Sequence, residues 1–219
     1  MKKHFILIIL ISILFAFNLQ SQNLCNFTPP VPCPQGSLGP YCFTMTWNGC
    51  DVAIFYCAII SNNTATVSFL AFNSSQACWN AINLAFSNQM FIELMTNLMI
   101  QDLFDNHPSV FPPCNSGTGN TSGYLVFQRG LPFCVKGVND PINQIIWRVP
   151  CDEPSSYCWA YYYACYDSTT NKVILTYDHS EMPAGSNCPF YDPNDPYWST
   201  PPWEEFWESP CYNLGSCVQ

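Results

Sequence analysis

Positively charged residues are scarce in this chain. Six Lys and Arg stand against 15 Asp and Glu, which gives a formal net charge of −9. Nucleic-acid binding and docking on anionic lipid both need clustered cations, so neither is expected of a chain whose few basic residues are scattered. The charged fraction is only 10%, whereas aromatic residues reach 16%. A disordered chain shows the opposite balance, and we therefore expect a compact, folded protein.

The C-x-x-C spacing is also missing, although the chain contains 14 cysteines. Zinc knuckles and thioredoxin-type redox centres both need such a close pair of thiols. An even number of cysteines in an oxidising compartment instead predicts disulfides, and seven bridges is the simplest assignment. Spacing alone does not give the connectivity. We expect no metal ion and no cofactor, and an even count leaves no spare thiol for a cysteine nucleophile.

No hydrophobic run is long enough to span a membrane. The longest, Phe5–Phe17, has about 13 residues, whereas a spanning helix needs about 20. It follows Lys2 and Lys3 and precedes a small residue, Ser21, which is the order of a signal peptide. A membrane anchor is the alternative interpretation. The sequence thus predicts a signal peptide over residues 1–21 and a mature chain, 22–219, that is secreted to the exterior or cell surface, with the periplasm as the alternative.

The clearest local signal is a β-hairpin centred on Asn48-Gly49. Apolar residues alternate on both sides of this dipeptide, and Asn-Gly favours a two-residue turn in which both residues have positive φ. That turn would pair Trp47 with Cys50, and Met45 with Val52. Residues 65–72 would add a third strand.

Helical periodicity follows in residues 76–104. The polar stripe shifts by about 120° between its first half and its second, since Ser87 and Glu93 are six positions apart. We therefore expect two helices or a kink near Ser87–Gln89.

A second β region is predicted between residues 124 and 177. CWAYYYACYDSTTNKVIL from Cys158 matches CDVAIFYCAIISNNTATV from Cys50 in cysteine spacing, turn and following strand. The expected fold is therefore α+β, with two antiparallel β meanders flanking a central helical segment in one disulfide-stapled domain. The two β lobes would cover residues 41–72 and 124–177. Residues 178–219 would form an acidic, aromatic tail wrapped around the body.

The two histidines of the mature chain do not define a catalytic site. His107 follows the predicted helix, where a cation is favoured by the helix C-terminus. His179 lies in Asp178-His179-Ser180-Glu181. Neighbours on a strand point to opposite sides, so these residues cannot form a triad by themselves. We assign no catalytic residue.

The strongest candidate binding site is the tail segment between Tyr197 and Tyr212. Exposed tryptophans stack on sugar rings or anchor protein interfaces, and paired carboxylates can serve glycoside hydrolysis. The alternative is that the tryptophans cover the core while the glutamates face water. The candidate residues are Trp198, Trp203, Trp207, Glu204, Glu205 and Glu208.

Scattered motifs carry a family resemblance. The beginning MKK…LQSQN, then LCNFT, and later FPPC, WRVPC and a C-x6-C hairpin resemble small cysteine-rich secreted proteins of unknown function from Bacteroidota. The resemblance implies secretion and no particular activity. From the residues we predict an extracellular binding, adhesion or interaction module whose partner is an extracellular protein or glycan. Two alternatives stay open: a secreted hydrolase with a carboxylate site in the Trp/Glu segment, and a structural envelope or matrix protein.

Overall fold

A computed structural model describes most of the chain between residues 23 and 213. The described residues are 23–83, 85–114, 124–151, 157–181, 188–190, 192, 194–199 and 201–213. The predicted signal peptide lies outside them, as does Cys217. The backbone of Trp198 is described but its side chain is not.

Strands dominate the described residues, and ten of them join in one sheet. The strands are β1 (Leu38–Trp47), β2 (Cys50–Ser61), β3 (Thr64–Ser75), β4 (Leu125–Pro132), β5 (Cys134–Asp140), β6 (Ile145–Pro150), β7 (Tyr157–Asp167), β8 (Lys172–Glu181), β9 (Trp207–Glu208) and β10 (Tyr212–Asn213). The α-helices are α1 (Trp79–Asn83), α2 (Gln89–Asn106) and α3 (Pro196–Ser199).

The β1–β2 hairpin confirms the sequence prediction. Trp47 pairs with Cys50 and Met45 with Val52, as expected for a two-residue turn. Both turn residues have positive φ, 49° at Asn48 and 78° at Gly49. Only Gly and Asn adopt this backbone readily, so the Asn-Gly dipeptide sets the register.

Strand β3 is where the sheet divides into two branches. One edge of β3 pairs with β2 along its length. On the other edge, residues 64–68 pair in parallel with β4, whereas residues 72–75 pair antiparallel with β6. One branch continues through β7 to β8, and the other through β5 to the short strands β9 and β10.

The expected α+β architecture with a central helical segment is wrong. Strands make up 50% of the structure and helices 22%. Both predicted β regions contribute to a single mixed sheet because β3 shares its second edge between β4 and β6. The helices do not separate two meanders. They pack on one face of the sheet.

The predicted break in the helical region is confirmed. A 3-10 turn and α1 cover residues 76–83, and α2 begins after Asn88, whose side chain accepts a hydrogen bond from the Met90 amide. Capping of this kind satisfies an otherwise unpaired helical N–H. Helix α2 buries its apolar side on the sheet. Its core residues are Phe91, Ile92, Met95, Met99, Ile100, Leu103 and Phe104.

Residues 23–37, here called the N-terminal segment, cover part of the opposite face of the sheet. Leu24, Phe27 and Val31 pack there in a second apolar cluster that includes Phe55 and Trp147. Since this segment has almost no regular structure, its position depends on covalent links. Two disulfides, Cys25–Cys42 and Cys33–Cys57, attach it to β1 and β2.

Disulfides are distributed over the whole described fold. Besides the two in the N-terminal segment, the described pairs are Cys50–Cys78, Cys114–Cys165, Cys134–Cys188 and Cys151–Cys211. Cys158 is disulfide-bonded as well, and none of the described cysteines is free. A crosslinked framework of this kind is typical of proteins from oxidising compartments. Within the described residues, no helix has the length and apolar character needed to cross a bilayer.

Candidate functional site

The branch formed by β4, β7 and β8 carries large side chains that stay partly exposed on one face of the sheet. Side chains alternate across a strand, and buried residues such as Ala160 and Ala164 on β7 face α2. The alternate residues of β7 face away from α2, and most of them stay partly exposed. Four of them form a continuous line that we call the aromatic strip: Tyr157, Trp159, Tyr161 and Tyr163. The side of β4, β7 and β8 that carries this strip is the open face.

Trp159 reaches over the neighbouring strand. It pairs with Gly130 on β4, and Gly130 pairs in turn with Ser68 on β3. A Cβ atom at position 130 would lie only 2.8 Å from two carbons of the indole ring. The missing side chain of Gly130 is therefore what allows the indole to cover β4.

Tyr161 is fixed by one contact to its ring and one to its hydroxyl. The ring stacks on the imidazole of His179, with centroids 4.3 Å apart and planes 7° from parallel. Its hydroxyl donates a hydrogen bond of 3.0 Å to Glu181. Desolvation raises the pKa of Tyr161, and the hydrogen bond and negative charge of Glu181 raise it further. These contacts hold the phenol neutral and the ring in one orientation.

Polar groups lie beside the strip on the same face. Thr66 and Gln128, which pair across β3 and β4, join through a hydrogen bond of 2.9 Å between Oγ1 and Oε1. Gln128 is paired with Tyr161 on its other side. The strip therefore combines ring faces with hydroxyl and amide groups that donate and accept hydrogen bonds.

At the Tyr157 end, the strip meets a cavity of about 430 Å³, here called the fork cavity. It lies where the pairing of β3 passes from β4 to β6. Its walls come from the N-terminal segment, from the end of β6 and from the strip, and its floor comes from β2 and β3. The lining residues include Val31, Pro34, Ser68, Pro150, Tyr157 and Trp159.

Tyr157 provides a polar atom at the edge of this cavity. Its hydroxyl donates a hydrogen bond of 3.3 Å to the carbonyl oxygen of Phe69. Burial raises the pKa of Tyr157 to about 12. Its ring stacks against Trp159 at a centroid distance of 5.9 Å. The two side chains thus form one continuous wall of the fork cavity.

The C-terminal Trp/Glu segment is arranged differently from the predicted binding site. Trp207 is buried, with 8% of its surface exposed, and Trp203 packs against the same core. Both rings contact Trp79 edge to face, with centroids 5.9 and 5.8 Å away. These two tryptophans cover the core, which is the alternative that the sequence left open. The side chain of Trp198 lies outside the description.

The three glutamates of that segment are on the surface. Glu204 and Glu205 are exposed, and Glu208 pairs with Lys136 at 2.7 Å. Among the described side chains, Trp203 and Trp207 pack against Trp79 while Glu204 and Glu205 face water, so these residues do not line one pocket. An exposed ion pair of this kind contributes little to stability.

His107 and the acidic end of α2 form a polar cluster against β1 and β2. His107 Nε2 and the Tyr41 hydroxyl are 2.5 Å apart, and the Tyr56 hydroxyl donates a hydrogen bond of 2.5 Å to Asp102. Burial raises the pKa of Asp102, as does the charge of Asp105, while the hydrogen bond from Tyr56 lowers it. Since Tyr56 is fully buried, the cluster ties the last turns of α2 to the sheet.

His179 contacts the strip and two carboxylates. It stacks on Tyr161, makes a 2.8 Å contact between Nδ1 and Asp178, and has its Nε2 3.8 Å from Glu181 Oε1. Among the described residues, no group of three or more His, Cys, Asp or Glu side chains is arranged to hold a metal ion.

The sequence predicted the β7–β8 hairpin, but its aromatic residues were not among the candidate site residues. The alternation in YCWAYYYACY, with an aromatic residue at every second position, was visible. Which face of the strand is exposed is decided by α2 on one side and by the extent of the N-terminal segment on the other.

Comparisons with known proteins do not identify a relative. No protein-family profile, curated protein or solved structure matches this chain. The site must therefore be interpreted from its own geometry.

Proposed function

We propose that this protein is an extracellular binding module and that the open face, together with the fork cavity, is its ligand-binding surface. The disulfide-rich framework supports an extracellular setting. The observation that carries the proposal is the aromatic strip: four adjacent large rings on one strand, all partly exposed to water. Rings in such a position are typical of interaction sites, because they offer large rigid contact areas at little entropic cost.

The strip is also preorganised. Strand β7 is hydrogen-bonded on both edges, to β4 and to β8. The Cys114–Cys165 bridge and the bonded Cys158 anchor the same strand. A surface that is already rigid loses less entropy on binding, so more of the contact energy is available for affinity.

The hydrolase alternative has weaker support from the geometry. Glycoside hydrolysis usually requires two carboxyl groups that flank one bond. On the described part of the open face, Glu181 Oε2 accepts a hydrogen bond from Tyr161, and Asp178 contacts His179 Nδ1. Both carboxylates belong to β8, so they do not flank the strip from two sides.

The test is a binding screen against extracellular proteins and glycans with paired variants. Trp159→Ala and Tyr161→Ala should each weaken the affinity for any ligand found by at least about tenfold, which corresponds to a loss of about 1.4 kcal/mol in binding free energy. Tyr177→Ala is the matched control. This tyrosine is 51% exposed on the same hairpin and pairs with Tyr162, on the side opposite the strip. Equal loss in all three variants, or no loss in the strip variants, would refute the proposed surface.

A further inference from the structure

We infer that the ligand of the open face is an electrically neutral glycan, bound by its chain end, with the terminal sugar in the fork cavity. This inference rests on the proposed function and specifies both the chemical class of the ligand and the direction in which it lies. Three features of the site support it: the composition of the open face, its charge and its closure at one end.

The composition fits sugar rings. A pyranose presents C–H groups on its flat faces and hydroxyl groups around its edge. The electron-rich faces of aromatic rings attract C–H groups, and hydroxyl and amide side chains bond the edge. On the open face, the rings of Trp159 and Tyr161 lie in register with Ser68 on one row and with Gln128 and Thr66 on the next.

The length of the strip suits an extended chain. The strip runs from Tyr157 to Tyr163, and a strand advances about 3.3 Å per residue, so the rings cover about 20 Å. Several consecutive sugar units fit this distance. A single small ligand would not need four rings in line.

The charge of the face disfavours an anionic ligand. Within the part of the chain that the structure describes, the one basic residue of the open face is Lys172, which pairs with Asp167 beside the β7–β8 turn, beyond the end of the strip. Cations next to the rings would be needed to pair with an acidic glycan or a phosphate. Arg129, in the middle of β4, is buried on the opposite side and donates a hydrogen bond to Thr96 of α2. Glu181 and Asp178 contact Tyr161 and His179, and these carboxylates would repel anionic sugars.

The course of the face favours binding by the chain end. Beyond Tyr163, the same face continues past the Cys114–Cys165 bridge to Ile174, which is 45% exposed, near the β7–β8 turn. At the Tyr157 end, the N-terminal segment and the end of β6 form the far walls of the fork cavity. Beyond them the same face is covered by Leu24 and Val31. Among the described residues, a chain lying flat on the strip would therefore meet the N-terminal segment at the cavity, and we place its end there.

The cavity itself suits a terminal sugar. Its lining is largely apolar, with Val31, Pro34 and Pro150 on the walls, and Ser68 and the hydroxyl of Tyr157 supply polar groups. An apolar pocket with a few fixed polar groups is the usual form of a small-ligand site. The volume of about 430 Å³ falls within the range of such sites, roughly 300–1,000 Å³.

The experiment is a calorimetric titration of the whole mature protein, disulfides intact. The first probes are linear hexasaccharides of β-1,4-glucan, β-1,3-glucan, xylan, mannan and α-1,4-glucan. For each linkage that binds, a long soluble polymer of the same linkage is then titrated. A sulfated polysaccharide is the charged comparison. We expect saturable binding of at least one neutral hexasaccharide and none of the sulfated chain. The number of protein molecules bound per chain should be one for both hexasaccharide and polymer.

Two variants locate the terminal sugar. Ser68→Phe fills the floor of the cavity and should abolish binding, while Tyr177→Ala should leave it unchanged. If Ser68→Phe lowers the unfolding temperature, Ser68→Gln provides a second variant, because Ser68 is only half-buried and a flexible polar side chain can occupy the cavity while still reaching water. Ser68→Gln should also weaken binding, and unchanged binding would overturn the placement of the terminal sugar.

The outcomes separate this inference from the proposed function. Many protein molecules per polymer chain would overturn binding by the chain end. If no neutral hexasaccharide binds, while Tyr161→Ala weakens binding to a protein ligand, the glycan assignment is wrong and the binding surface stands. If no ligand of any class responds to the strip variants, both fail.

Discussion

The indole of Trp159 lies directly over Gly130, its cross-strand partner, in the space that a side chain would occupy. This pairing connects the sequence to the site in one step. A glycine inside a strand costs stability and packs nothing itself. Here it allows the largest side chain of β7 to reach over β4 and to form part of the wall of the fork cavity.

Substitution of Gly130 therefore tests how Trp159 is positioned. Gly130→Ala places a Cβ atom 2.8 Å from the indole and 3.1 Å from the Tyr157 ring, so both rings must shift. We expect the free energy of unfolding to fall by about 1–3 kcal/mol, as in other overpacked sites, and the near-UV circular dichroism of tryptophan to change. Ser68→Ala, in the same cross-strand row, is the control. An unchanged spectrum for Gly130→Ala would contradict the proposed contact.

The hydroxyl of Tyr157 should make stability depend on pH in the alkaline range. Burial raises its pKa to about 12 in the folded protein, whereas an unfolded tyrosine titrates near 10. The folded state thus keeps its proton longer, and the stabilisation, complete below pH of about 10, is lost as the pH rises towards about 12. Urea unfolding of wild type and Tyr157→Phe at pH 8, 10 and 11 measures this. Parallel curves for the two proteins would show that Tyr157 does not titrate in this way.

Asp102 should also make stability fall as the pH rises, in the acidic range rather than the alkaline range of Tyr157. Burial and the charge of Asp105 raise its pKa above the ordinary value of 3.8. Since the unfolded state then releases the proton first, stability falls as the pH rises through the interval between the unfolded and folded values. Asp102→Asn keeps an acceptor for the Tyr56 hydroxyl but cannot ionise, so it should gain stability relative to wild type between pH of about 3 and 6. A relative loss over that interval would mean that the hydrogen bond from Tyr56 outweighs burial.

The disulfide map can also be measured directly. Peptide mapping of the unreduced protein should recover the six described pairs. The remaining linked peptide should join Cys158 to Cys217, the one cysteine left by the count of 14. Any free thiol on alkylation of the native protein, or a pairing that releases the N-terminal segment from β1 and β2, would contradict the structure.

The predictable parts of the fold are those set by neighbours in sequence. The Asn48-Gly49 turn fixed the β1–β2 register, and the shift in polar periodicity located the break before α2. The division of the sheet at β3 was not predictable in the same way. It depends on contacts such as Thr66 with Gln128, 62 positions apart, for which no local pattern exists.

The same distinction applies to the site. The sequence predicted a binding site at the tryptophans of the C-terminal segment because they are large and lie among glutamates. In the structure, Trp207 is buried against Trp79. The Tyr157–Tyr163 alternation indicated a strand, and any strand in a sheet shows such alternation. The exposure of these aromatic side chains depends on how far the N-terminal segment extends over the sheet. The Cys33–Cys57 bridge holds that segment in place.

The most direct test of the account is to observe Trp159 during binding. Protein labelled with ¹⁵N gives one indole Nε1 resonance for each of its seven tryptophans, which single substitutions assign. The account predicts that the Trp159 resonance shifts or broadens when a ligand identified in the binding screen is added, while those of Trp79 and Trp207 stay in place. If the Trp159 resonance stays unchanged while that of Trp203 or Trp207 shifts, the binding surface lies in the C-terminal segment and the account is contradicted.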